Sequence, residues 1–223
     1  MNEHLGFNPR GQSNSDALSD FVVADLRQAC PSLAAALESG NIRARKNPTV
    51  FTRGGVRGRS IDLVLHESAA SPAITVCVSI EHKTIMTAHG KARLNRYGDL
   101  IAYSNHMHNH RPECIAGGVV VVNISPAYEN PDAFAKGLQR PTFNMSKIVA
   151  NTVKIFAEIP LRDESSEPSD RPEAIGVIVV DYDGVNPAKL VAGPLAPQPG
   201  SAIHYDSFIR RISDLYAKRF SAQ

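Results

Sequence analysis

Two near-continuous runs of apolar, β-branched residues constrain this chain more than any other feature: IAGGVVVVNI over 115–124 and AIGVIVVD over 174–181. Segments of this length and composition are typical of strands buried on both faces, which need helices above and below the sheet. Helical periodicity supplies candidates for those covers. Asn14 to Asp16 can cap a helix through ALSDFVVADLRQAC, in which Leu18, Phe21, Val22, Leu26 and Ala29 recur at helical spacing. Pro31 suits the first turn of a short second helix, with Leu33 to Leu37 as its apolar stretch and Gly40 as its terminator. Residues 88–105 set Leu94, Tyr97 and Ile101 at one helical face, and 146–159 and 207–220 also read as helices. Between them, Thr49–Thr52 and Arg59–His66 flank a glycine-rich turn as a hairpin. Residues 74–84 alternate as a strand, with Val76, Val78, Ile80 and His82 on one face and Cys77, Ser79, Glu81 and Lys83 on the other. The mixed order of elements predicts an α/β fold with a sheet sandwiched between helices.

The 223 residues, 43% hydrophobic and 21% charged, suit a single domain. No apolar run approaches the roughly 20 residues of a membrane-spanning helix, and the first residues carry no apolar stretch after a basic start, so the expectation is a cytoplasmic protein without a membrane partner. Cys30, Cys77 and Cys114 are too few and too far apart for a disulfide framework or a paired zinc motif and read as buried thiols. Net charge is only +2, but it is segregated. Arg43, Arg45, Lys46, Arg53, Arg57 and Arg59 fall in a stretch with no acidic residue, whereas DESSEPSDRPE over 163–173 is acidic apart from Arg171 and reads as a mobile loop.

Three charges sit where charges are expensive. Asp62 interrupts the apolar strand SIDLVL, and Glu81 and Lys83 share a face near the end of the next strand. Such groups are tolerated when paired or bound to a metal. If the two strands are neighbours, two carboxylates and an ammonium converge, a grouping suited to phosphodiester hydrolysis. Asp62, Glu81 and the main-chain carbonyl of His82 offer hard oxygen ligands for Mg²⁺, with Mn²⁺ as a possible substitute. Lys83 can orient or deprotonate a water, or stabilise developing charge. A structural ion-pair network is the alternative use of the same three residues.

Asp62, eighteen residues, then Glu81-His82-Lys83, on two strands followed by a helix and another strand, resembles the PD-(D/E)xK nucleases, the superfamily of restriction endonucleases and many repair nucleases. The resemblance covers roughly 15–125 and leaves about 126–223 as an extension; Ile61 stands where the motif is named for proline. It implies a restriction endonuclease-like three-layer α/β/α core with a central mixed sheet, Asp62 and Glu81 as metal ligands and Lys83 as the catalytic lysine. Family members often add a carboxylate from the first helical region, for which Glu38 is the candidate, and a polar residue on the helix after the lysine, where Lys91 or Asn95 fits.

The expected activity is therefore Mg²⁺-dependent hydrolysis of duplex DNA in a type II-like restriction or other genome-defence role, with a DNA repair nuclease or a non-cleaving DNA-binding module as alternatives. Phosphate contacts are expected from Arg43, Arg45, Lys46, Arg53, Arg57 and Arg59 and, on the following helix, from Lys91, Arg93, Asn95 and Arg96. A solvated hairpin face is the bland reading of the same cations. A homodimer suits palindromic double-strand cleavage, with the 207–220 or the 144–160 helix as its interface and the loops 128–144 and 183–201 as candidates for base reading. The run His106-Met107-His108-Asn109-His110, followed by Cys114, allows a zinc site, against the simpler reading of imidazoles at a helix end. Gly117-Gly118 lies within a strand pattern and lacks the context of a nucleotide-binding loop.

Overall fold

The computed structural model describes residues 11–68, 74–87, 89–128 and 144–221. Its elements are α1 (Gln12–Ala29), α2 (Pro31–Glu38), β1 (Ile42–Lys46), β2 (Thr49–Phe51), β3 (Gly58–Ser60), β4 (Leu63–Glu67), β5 (Val76–Ile85), α3 (His89–His110), β6 (Ile115–Asn123), α4 (Met145–Ala157), β7 (Ala174–Asp181), β8 (Lys189–Leu190) and α5 (Tyr205–Phe220). Six strands form one mixed sheet in the order β1-β4-β5-β6-β7-β8, and β2 and β3 pair separately as a hairpin. The pairs β5·β6 and β6·β7 are parallel; β1·β4, β4·β5 and β7·β8 are antiparallel. As the apolar runs required, β6 and β7 lie inside the sheet, with β6 at its centre.

The architecture is α/β/α. Val22 and Leu26 of α1, Leu33 of α2 and Phe208, Ile212 and Leu215 of α5 close one face over Leu63, Leu65, Val78 and Ile80. On the other face Leu100, Tyr103 and Met107 of α3 and Val149 and Phe156 of α4 pack over Val64, Val120, Val122 and Val177. Each such apolar side chain contributes about 1.5–3 kcal/mol on burial. The paired glycines of β6 let the layers approach from both sides. A Cβ at Gly117 would lie 3.0 Å from the Phe208 ring, and one at Gly118 would lie 2.7 Å from Leu100 Cδ2. The buried residues of α4 and α5 are thus part of the core.

Several local expectations need correction. Asn14 to Asp16 do not cap α1: Gly11 is the N-cap, so these residues lie in the first turns. Phe21, at 57% exposure, and Leu94, at 60%, face outward, and α1 meets the sheet through Val22 and Leu26 instead. β1 was hidden because only Ile42 of IRARK is buried; it is an edge strand whose charged residues remain wet. The alternation along β5 breaks once. β4 pairs Leu65 with Val78 but His66 with Val76, leaving Cys77 as an extra residue. Val76 therefore packs beneath α3, whereas Cys77, Val78 and Ile80 pack beneath α1 and α5.

The acidic 163–173 segment is fastened rather than free. Its last residue, Glu173, is fully buried with Arg162, which is 1% exposed. One Glu173 carboxylate oxygen accepts from Arg162 at 3.3 Å and Arg219 at 2.9 Å; the other accepts from His108 Nε2 at 2.9 Å and the Ala116 N–H at 2.8 Å. Outer residues are held as well, Asp163 by Arg211 at 2.7 Å and Glu164 by Lys218. Burial pushes the Glu173 carboxyl up, but His108, the Ala116 N–H and Arg219 outweigh it and hold the group below its usual 4.5. A carboxyl depressed in the folded state contributes stability that is complete above its unfolded value and is lost as pH falls through the folded one. Glu173→Gln, which leaves Arg162 buried without its counter-charge, is expected to cost about 3–5 kcal/mol in urea unfolding at pH 7. The deficit relative to wild type should shrink as pH is taken below 4.5.

Candidate active site

Antiparallel pairing ends at Leu63 opposite Ile80, so Asp62, just before β4, and Glu81, on β5, stand one step beyond. This is the juxtaposition that the sequence pattern required. Asp62 lies in the short connection from β3 to β4, and its carboxylate is held from two directions. Oδ2 accepts the His82 main-chain N–H at 2.7 Å, and Oδ1 accepts the Ser15 hydroxyl of α1 at 2.8 Å. Ser15 Oγ also lies 3.1 Å from His82 Nδ1. A hydroxyl has one proton, here given to Asp62, so Nδ1–H donates to Ser15 and Nε2 is left bare. That nitrogen is buried without a partner. Burial holds the His82 imidazole down at about 4 against the nearby Asp62 charge, so the ring is neutral at pH 7.

Glu81 and Lys83 project from the opposite face of β5, toward α3. Glu81 is 4% exposed. Its Oε1 accepts from Lys83 Nζ at 2.6 Å and from an Arg59 guanidinium nitrogen at 3.0 Å, while Oε2 is buried without a partner among the described residues. Arg59 reaches this position from β3 and lies over the Tyr103 ring, 5.7 Å from its centroid. The Tyr103 hydroxyl meets Ser79 Oγ at 2.6 Å, and burial pushes the phenol well above its usual value. The hairpin carrying Arg59 is fastened to the end of α3: His106 Nε2 lies 2.9 Å from the Val50 carbonyl, His110 Nδ1 lies 2.7 Å from that of Phe51, and Arg53 N–H donates to the Asn109 carbonyl at 3.1 Å.

These contacts redistribute the expected roles. The structure pairs Asp62 with the His82 main chain and Glu81 with Lys83, at the adjoining ends of β4 and β5. It adds Ser15, which sequence spacing did not reveal, and it turns Arg59 inward to a carboxylate rather than outward. Glu38 does not join them. Ile42 pairs with Glu67 and Lys46 with Leu63, so α2 delivers Glu38 to the end of β4 remote from Asp62, beside Arg27 at 3.9 Å. Asp16 is the α1 carboxylate nearer the site, and hydrogen bonds from Gln12 and Asn47 hold it below its usual value. Asn47, in the left-handed region at φ 56°, also donates its N–H to the Asp62 carbonyl at 3.1 Å.

The outer cations remain. Arg43, Arg45, Arg53 and Arg57 are exposed and without ion pairs among the described residues; Lys91 and Asn95 are exposed on the first turns of α3 beside half-buried Arg93. Lys46 pairs with Asp20 at 2.6 Å, and Arg96 with Asp99 at 2.9 Å. The histidine run does not make a zinc site. His106 and His110 bind hairpin carbonyls, His108 lies between Glu173 and the Ser169 carbonyl at 2.7 Å, and Cys114 is fully buried. The loop proposed for 128–144 falls on residues 129–143, outside the described ones. A hollow of about 410 Å³ beneath the hairpin is lined by Thr52, Arg53, His108, Asn109 and Pro112 and by none of the carboxylates above.

The donor set fits a hard divalent cation. Glu81 Oε2 is a buried oxygen lacking a partner, and a carboxylate such as Asp62 has lone pairs beyond the two it uses. No group of three or more His, Cys, Asp or Glu gathers among the described residues. Comparison with protein-family models, curated proteins and solved structures finds no match. No helix among the described residues is long and apolar enough to cross a membrane.

Ser15→Ala removes a partner from Asp62 and from His82 at once. It is expected to lower stability by about 1–3 kcal/mol in urea unfolding. The depressed imidazole also makes the unfolded chain the stronger proton binder between pH 6.5 and about 4. Stability should therefore fall as pH is lowered through that window, and His82→Gln should flatten the decline.

Proposed function

We propose that this chain is a divalent-cation-dependent endodeoxyribonuclease that hydrolyses phosphodiester bonds of duplex DNA, in a restriction or other genome-defence role. The observation that carries this reading is Glu81: a buried carboxylate with one oxygen held by Lys83 and Arg59 and the other bare, one strand from Asp62. The sequence resemblance to the PD-(D/E)xK nucleases points the same way, as do Arg43, Arg45, Arg53, Arg57 and Lys91, exposed and without ion pairs among the described residues. A homodimer would present two such sites to a palindrome.

Asp62, Glu81 and the His82 carbonyl would hold Mg²⁺, or Mn²⁺ in its place; when bound there, the ion supplies Lewis acidity toward the phosphate and lowers the pKa of a coordinated water. The protein's own contributions follow from the geometry. Ser15 and the His82 N–H fix the Asp62 carboxylate, so its orientation is set before substrate arrives. Lys83, whose side chain is 16% exposed, places a positive charge beside Glu81, where it can orient the attacking water or offset charge building on the phosphate. Arg43, Arg45, Arg53 and Arg57 offer phosphate contacts that position a duplex without reading its sequence.

A second reading, a non-cleaving DNA-binding module, is favoured by the double ion pair on Glu81, which is also what a purely structural network would contain. One experiment separates the two: supercoiled plasmid and modified phage DNA incubated with Mg²⁺, Mn²⁺ or EDTA, beside Asp62→Ala and Lys83→Ala. Metal-dependent cleavage, lost by at least about 100-fold in both variants while gel retardation persists, is the expected result. Retardation without cleavage under any cation would favour the binding module, and full activity of Lys83→Ala would remove that residue from the chemistry.

A further inference from the structure

We propose that Arg59 couples the two binding events of this site: its guanidinium opposes a divalent cation at Glu81 until a DNA phosphate draws it away. The inference rests on the nuclease reading above and adds to it a reason for metal and substrate to bind together. Glu81 Oε1 faces two full positive charges, Lys83 at 2.6 Å and Arg59 at 3.0 Å. With Asp62 counted, two carboxylates stand against two cations, which leaves the site no net negative charge to attract a metal. A divalent ion approaching the bare Oε2 therefore meets two cations that offset the carboxylates, where Glu81 is 4% exposed and water screens poorly.

The two cations are not equally free. Lys83 follows Glu81 on the same strand and stays beside it whatever the hairpin does. Arg59 comes from a separate small sheet, and its side chain is 28% exposed over the face of Tyr103, so a rotamer change carries it outward. The backbone need not move, since His106, His110 and Asn109 fasten the hairpin. Arg57 is exposed and lies two residues before Arg59 on the same limb of the hairpin. A duplex backbone engaging Arg57 and Arg53 therefore brings phosphate oxygens within reach of Arg59, and a guanidinium finds in phosphate a bidentate partner at least equal to the single Glu81 oxygen it leaves. Glu81 then keeps one cation, and the cost of admitting a metal falls. Linkage requires the converse: metal strengthens DNA binding by the same factor by which DNA strengthens metal binding.

The test measures Mn²⁺ binding by the electron paramagnetic resonance of the free ion, with and without a short duplex, for wild type, Arg59→Gln and Asp62→Asn. Wild type should bind Mn²⁺ about tenfold more tightly with duplex, and Arg59→Gln should reach the tighter value with protein alone and gain little from DNA. Higher affinity in a variant cannot come from a damaged fold, and Arg59→Lys should restore the dependence on duplex. If Arg59→Gln binds Mn²⁺ no more tightly than wild type, or keeps the full gain from duplex, the coupling role is overturned. The nuclease reading stands in that case, provided that Asp62→Asn abolishes binding. Failure of wild type to bind Mn²⁺ with or without duplex would sink both.

Discussion

One buried carboxylate holds this fold together at the point where most of its parts meet. Glu173 precedes β7, and its four hydrogen-bond donors come from the segment leaving α4, from α3, from the start of β6 and from the end of α5. Its main-chain N–H donates to the Ala116 carbonyl at 2.8 Å, and its carbonyl accepts from Arg211. A charge so placed is tolerable only if every lone pair finds a donor, so the relative placement of both helical layers and the two central strands is specified together. The desolvation of Glu173 and Arg162 is offset only in that one arrangement. Hydrophobic burial collapses the chain, and this network selects which collapsed form persists.

The candidate site depends on that rigidity at one remove. α3 is fastened near its end by His108 and at the same end carries the hairpin through His106 and His110. Alternate residues of one helical turn thus divide between core and hairpin, and Arg59 inherits its place beside Glu81 from them. On the other face, α1 contributes Ser15 to Asp62 while Val22 and Leu26 anchor the helix to the sheet. Each of the two carboxylates is therefore oriented by an element of a different layer.

Much of this was legible in the sequence because it obeys periodicity or violates it conspicuously. The β6 and β7 runs gave the sheet interior, and Asp62, Glu81 and Lys83 were conspicuous as charges in apolar strands. Other features left no such trace. Ser15 resembles any polar residue in a first helical turn, and Arg59 resembles its neighbours Arg53 and Arg57 until tertiary contact turns it inward. The Cys77 bulge inverts a face without changing the letters that surround it. Glu173 hid within a run of acids, although its position directly before an apolar strand separates it from Glu164, which is exposed, and Glu167, which is half-buried. Composition describes a segment, whereas burial is decided residue by residue.

The sheet's two margins differ in kind and act alike. β1 ends it on one side with Arg43, Arg45 and Lys46, and β8 ends it on the other with two residues. A long, flat, uncharged margin invites another chain to add a strand, and that route leads to fibrils. Here an incoming backbone would meet like charges at one margin and almost no hydrogen-bonding length at the other. The cations of β1, whatever else they bind, keep crowded copies of the protein from zipping together.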